Sequence, residues 1–212
     1  AAGQTVEIVS TDAGFAADIR GWCASTGSRL LELNARNGTY TARIEKQAAA
    51  GLPGADAKNK TLIVFSGDFD RAMAAFIIAN GAAAMGSRVT MFFTFWGLNL
   101  LRRPQPVSVS KTLIEKMFGW MMPRGAEKTG LSRMHMLGVG TQMIKTVMKH
   151  KKVASLSELI AKAQANGVRL VACTMTMDLM GIKKQELIDG VEEGGVAMYL
   201  SQAEAAGVNL FI

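Results

Sequence analysis

TLIVFSGDFDRAMAAFIIANGAAAMGSRVTMFFTF, residues 61–95, decides the class of fold. Its first six residues, TLIVFS at 61–66, form an apolar run without polar alternation, as expected of a strand covered on both faces. Ser66-Gly67-Asp68 then turns the chain into a helix, with Phe69, Ala72, Met73, Phe76 and Ile77 predicted on its buried face. Gly86-Ser87 stops that helix, and Arg88–Phe95 supplies a second strand. Strand, helix and strand make a βαβ unit, so the two strands are predicted to run parallel.

Toward the C-terminus, Ser155 and Glu158 form a capping box for a helix that ends at Asn166-Gly167. VRLVAC at 168–173 is another buried strand, and Cys173 is its last residue. A short turn or helix around Met175–Met180, a segment Lys183–Ile188, a helix from about Val196 to Ala206 and the strand VNLFI at 208–212 complete the chain. The expected class is α/β, with a mostly parallel sheet and helices on both faces. Residues 96–150 leave about 55 residues between two core strands, long for a connection, and read as an inserted helical arm. Helix candidates in it are Lys111–Met121 and Gly140–Lys149.

Toward the N-terminus, TVEIVS at 5–10 alternates as a strand. Asp12 offers an N-cap for a helix carrying Phe15, Ile19, Trp22 and Cys23, and Gly27 ends it. Strands at Arg29–Leu33 and Thr39–Ile44 are joined through Asn37-Gly38, which suits a hairpin. This small β-α-β-β unit, residues 1–46, holds too few residues to be secure alone and is expected either to lean on the larger domain, 61–212, or to lack an N-terminal part. Residues 47–60, QAAAGLPGADAKNK, lack apolar periodicity and read as a linker.

Composition bounds the functions. With 49% hydrophobic and 19% charged residues the chain is globular. Its two cysteines, Cys23 and Cys173, have no CxxC spacing, against a disulfide scaffold or a zinc site, and a reducing cytoplasm fits best. No N-terminal segment has the pattern of a secretory signal. The apolar stretches 72–87 and 89–101 are split by Arg88, and neither reaches the roughly 20 residues of a membrane span. Residues 102–152 carry eleven Lys and Arg against Glu115 and Glu127, within a chain of net charge +7, and hold seven of the fourteen Met. An acidic partner or surface is expected there.

Ligands of open α/β sheets bind beyond the carboxyl ends of the strands, where Cys173 sits. A helix starting within Thr174-Met175-Thr176 aims backbone N–H groups at the sulfur and favours the nucleophilic thiolate. The alternative is a small buried hydrophobe. The turn Ser66-Gly67-Asp68, with Thr174, is a candidate anion pocket beside Cys173; its alternative is plain N-capping by Asp68. No nucleotide-binding motif is present. His135 and His150 are too isolated for a metal, no Ser-His-Asp triad can be assembled, and Cys23 in GWCASTG reads as core.

The runs SGDFDRAMAAFIIANGAAAMGSRVTMFFTFWGLNLLRR and ACTMTMDLMGIKKQELIDGVEEGGVAMYLSQAEAAGVNLFI resemble the long-insert, "peroxiredoxin-like" branch of the DsrE/DsrF-like family, over about residues 60–212. VEIVSTDAGFAADIRGWCASTGSRLLEL looks like the second half of a TusA-like (SirA-like) sulfur-carrier domain. The resemblance implies persulfide handling: Cys173 accepts sulfane sulfur from a donor and passes it to an acceptor, with proteins of the rhodanese or TusA-like kind as those partners. It also implies a homo-oligomer. TusA-like carriers use a Cys-Pro-x-Pro motif, which is missing here, since the prolines are Pro53, Pro104, Pro106 and Pro123. Either the chain is a fragment of a longer fusion, or its N-terminal unit serves as a docking piece.

The expected function is therefore a sulfur carrier or sulfurtransferase without cofactor, metal or nucleic-acid partner. The competing reading is a non-catalytic module that assembles sulfur-relay partners or touches a membrane surface through its basic, Met-rich arm. Phe95, Trp96, Leu98, Leu100, Met117, Phe118, Trp120, Met121 and Met122 exceed what one small domain covers and mark an interface between subunits. A peripheral membrane contact explains the same residues less economically.

Overall fold

A computed structural model of the chain describes residues 3–11, 15–46, 56–133 and 136–212. The first unit holds β1 (Thr5–Ser10), α1 (Phe15–Thr26), β2 (Arg29–Arg36) and β3 (Thr39–Glu45). Its three strands form an antiparallel sheet in the order β1-β3-β2. Asn37 and Gly38 close the β2–β3 hairpin at φ 52° and 75°, the left-handed pair that such a turn demands. Ile19, Cys23, Ala42 and Ile44 form its small core. The expected cap at Asp12 and the histidine at 135 lie outside the described residues.

The second unit is built on β4 (Asp56–Val64), β5 (Arg88–Phe93), β6 (Arg169–Cys173), β7 (Val191–Gly194) and β8 (Ala206–Phe211). These form one sheet in the order β7-β6-β5-β4-β8, and every pairing is parallel. α2 (Phe69–Ala84) and α5 (Leu156–Ala165) pack together on one face, over Leu62, Val64, Met91, Phe93, Leu170 and Ala172. Each of the larger of these side chains, fully buried, contributes roughly 1.5–3 kcal/mol. The buried amide of Asn80 ties the two helices by donating to the carbonyls of Phe76 and Leu159, at 2.9 and 3.0 Å. The opposite face carries Phe92, Val171 and Cys173 and is covered by α7 (Val196–Glu204), against which α1 of the first unit packs. The mixed α/β class, with a parallel sheet and helices on both faces, is as the sequence predicts.

Several boundaries differ. β4 begins at Asp56, inside the segment read as linker, because Asn59 and Lys60 pair through their backbones with Arg88 and Val89 despite polar side chains. β5 stops at Phe93, and Phe95 turns at φ 45° into a 3₁₀ segment, Phe95–Leu101, whose leucines are buried in the main core. Ile77 is exposed, since α2 rolls toward α5 and buries Ala75, Ala79 and Asn80 instead. Lys183–Ile188 holds a 3₁₀ turn at Lys184–Glu186 and a single antiparallel bridge from Leu187 to Arg102, and the edge strand β7 follows it.

The capping box of Ser155 and Glu158 is present at α5. Between the 3₁₀ segment and α5 lie α3 (Leu113–Met121), capped by an equivalent box from Thr112 and Glu115, and α4 (Val139–His150). After β6 the chain enters α6 (Thr174–Met180) directly. None of the nine residues of α3 is buried, and Leu113 and Trp120 are 84% and 87% exposed. Among the described residues no helix is long and apolar enough to cross a membrane.

Candidate functional site

β6 is central and apolar, so its residues alternate between two covered faces: Leu170 and Ala172 meet α2 and α5, while Val171 and Cys173 meet α7. Cys173 ends the strand at the carboxyl edge of the sheet and is the N-cap residue of α6. Its side chain is 1% exposed and packs in a cluster with Phe92, Val171 and Tyr199, flanked by Ile63 and Met198. Tyr199 packs tilted against Phe92, with ring centroids 5.2 Å apart, and shares a 3.3 Å hydrogen bond with the Thr61 hydroxyl. Gly194, paired with Cys173 across β7, has no room for a Cβ because the Met198 side chain lies against it. Met198 and Tyr199 thus bring α7 into the apolar cluster that buries Cys173, as a roof over this face of the sheet.

The polar groups at this end come from α6 and the end of β5. Thr176 is buried, its hydroxyl 2.8 Å from that of Thr94, and it also accepts the Phe95 N–H at 3.3 Å. Thr174 opens α6, and its hydroxyl is buried with no hydrogen-bond partner among the described residues.

The turn Ser66-Gly67-Asp68 lies at the same edge but is not brought to Cys173. β5 stands between β4 and β6, so the two strand ends are about 10 Å apart. The Ser66 hydroxyl donates to Asp68 Oδ2 at 2.8 Å and accepts the Asp68 N–H at 3.0 Å. Asp68 holds the N-cap position of α2 without a side-chain cap bond, and the Phe69 N–H goes to the Gly130 carbonyl at 2.7 Å. A Cβ on Gly67 would stand 2.8 Å from the Trp96 carbonyl oxygen, so the close backbone approach expected of this glycine is made to the 3₁₀ segment.

Both thiols are free and buried. Cys23 belongs to the core of the small unit, as its apolar helix face predicts, and burial pushes its thiol up from the ordinary range. The roof formed by Met198 and Tyr199 was not visible in the sequence; the only hint was their place in a helix that precedes a strand of the same sheet. Among the described residues no group of three or more His, Cys, Asp or Glu could hold a metal ion.

Fold and site define an α/β domain that carries a cysteine at the carboxyl end of a central parallel strand, joined to a small β-α-β-β unit. The chain belongs to the DsrE/DsrF/DrsH-like family, whose profile matches residues 57–211, while residues 1–46 match that of sulfurtransferase TusA. It is 57% identical over 155 residues to YrkE of Bacillus subtilis (strain 168), an uncharacterized protein, covering 73% of this chain and 97% of that one. It is 39% identical over 159 residues to the sulfur carrier protein DsrE2 of Allochromatium vinosum, covering 73% and 98%. Among solved structures it is similar to the YchN protein from E. coli, at TM-score 0.44 and 12% identity over 73% of this chain and 98% of that one. MTH1491 from Methanobacterium thermoautotrophicum is similar at TM-score 0.43 and 15% identity, over 71% and 96%.

Proposed function

We propose that this protein is a sulfur carrier of a sulfur relay, accepting sulfane sulfur as a persulfide on Cys173 and passing it to an acceptor thiol. The supporting observation is the place of Cys173, the last residue of a central strand and the one before a helix. The Cys173 thiolate attacks the outer sulfur of a donor persulfide, the donor's S–S bond breaks, and the donor leaves as a thiolate. An acceptor thiolate then attacks the outer sulfur of the Cys173 persulfide and restores the thiolate. Because the thiol is roofed by α7, donor and acceptor reach it when that helix yields. Family membership, the match of residues 1–46 to sulfurtransferase TusA and the name of the A. vinosum relative support a relay role. Rhodanese- or TusA-like proteins in a reducing cytoplasm fit as donor and acceptor, and the small unit docks them or holds α7. Cyanolysis after loading with a sulfane donor tests the reading: about one thiocyanate per chain is expected from the parent and Cys23→Ser, and none from Cys173→Ser.

The exposed apolar residues of α3 favour a second feature of the same reading, a homo-oligomer in which this helix packs between subunits. Removal of residues 112–148 is expected to lower the mass in solution. An unchanged oligomeric mass refutes the interface, and binding of the parent to anionic vesicles would favour a peripheral membrane contact.

A further inference from the structure

Glu186 is surrounded by more cations than one carboxylate can serve. Its side chain is 1% exposed, and Arg102 Nη2, Lys111 Nζ and Arg124 Nη2 stand 3.4, 2.5 and 3.2 Å from its oxygens. Oε1 takes the two arginines; Oε2 takes Lys111 and the Lys183 N–H, the latter at 3.0 Å. An ionised carboxylate has about four acceptor sites, and all are in use. Arg102 Nη1 finds the Asn99 side-chain oxygen at 3.2 Å. Arg102 Nε and Arg124 Nη1 remain, both buried and without a hydrogen-bond partner among the described residues. Three cations against one anion leave two excess positive charges. The side chains of Arg102 and Lys111 are 0% and 7% exposed, a placement that is costly without a further anion.

A cavity of about 900 Å³ reaches this cluster. Lys111, Arg124 and Glu186 stand in its wall, and Lys116 and Lys128 add positive charge. Trp120, on α3, gives it an apolar side. We propose that the cavity binds a doubly charged oxyanion, held by Arg124 and Lys111. The charge balances the excess, and a tetrahedral oxyanion matches the planar fork of an arginine beside the rotatable donors of a lysine. The oxyanion is either a free ion or the anionic group of a small molecule whose apolar body lies on Trp120. The site is independent of sulfur transfer at Cys173, since Cys173 does not line the cavity, whose wall comes from the segment between β5 and β6 and from Glu186.

Titration calorimetry of the full chain with inorganic phosphate, thiosulfate and hexyl phosphate at constant ionic strength tests this. Saturable binding at one site is expected, weakened about tenfold by Arg124→Gln, which removes a charge-assisted pair. The exposed Lys128→Gln, which leaves the buried cluster intact, is expected to cost about threefold. Tighter binding of hexyl phosphate than of phosphate identifies an oxyanion carried on an organic body, and equal binding identifies the free ion. Absence of binding by all three anions, or binding indifferent to both substitutions, overturns the proposal.

Discussion

The carboxylate of Asp18 lies so close to the backbone of Gly195 that no Cβ fits between them. Asp18 is in the first turn of α1, and Gly195 is the N-cap residue of α7, so the contact sets a negative charge at the positive end of the helix that roofs Cys173. A few residues on, Gly21 of α1 lies against Met198, with only 3.3 Å available to a Cβ. The small unit thus packs directly on α7, the helix that covers this face of the sheet.

Gly195→Ala is expected to push the first turn of α7 off α1, with a cost of about 1–3 kcal/mol for the overpacking. Gly195 has φ −106°, so the effect comes from contact and not from backbone strain. Alkylation of Cys173 by iodoacetamide should then be faster than in the parent, while Cys23 stays slow. Unchanged alkylation of Cys173 would remove the small unit from any control of access.

Gly181 closes α6 at φ +63°, and a Cβ there would overlap the Glu115 side chain of α3. Gly181→Ala combines a left-handed backbone with a collision, and a loss of roughly 1–3 kcal/mol is expected in urea unfolding. A change within a few tenths would mean that α3 does not rest on this turn.

The hydrogen bond from Lys183 to Glu115, at 2.9 Å, and those from Thr112 hold the Glu115 carboxyl down at about 2 from the ordinary 4.5. A depressed folded value means that the interaction is complete above about pH 4.5 and is lost as pH falls through about 2. Lys183→Met should move the Glu115 titration midpoint upward in carboxyl NMR and leave Glu158, which is lowered by its own bonds to Ser155, where it was. A stationary Glu115 midpoint would contradict the pairing.

The sheet was legible because TLIVF, VTMFF and VRLVAC each bury both faces, and an apolar run without alternation carries that information. β7 was not, since VEEG sits at the sheet edge and buries only its glycine. The polar start of β4 escaped for a related reason: backbone pairing, not side-chain burial, makes it a strand. Cys173 could be placed at a strand end from its own neighbours. Its roof could not, because Met198 and Tyr199 reach it only through the order of strands. The Arg102–Glu186 pair joins residues 84 apart, and the sequence offered only the basic excess of the segment.

Polar replacement of Leu113, Trp120 and Met121 should leave the unfolding midpoint nearly unchanged, since these side chains are 84%, 87% and 67% exposed and little packing is lost. The mass in solution by light scattering should fall. A marked loss of stability at constant mass would show that α3 is packed within its own chain and would remove it as an interface.

The most direct measurement is peptide mass spectrometry of the full chain after incubation with a sulfane-sulfur donor. A gain of about 32 Da, one sulfur atom, is expected on the peptide containing Cys173, reversed by dithiothreitol and retained in Cys23→Ser. A gain confined to Cys23, or an unmodified Cys173 under conditions that load another carrier, would contradict it.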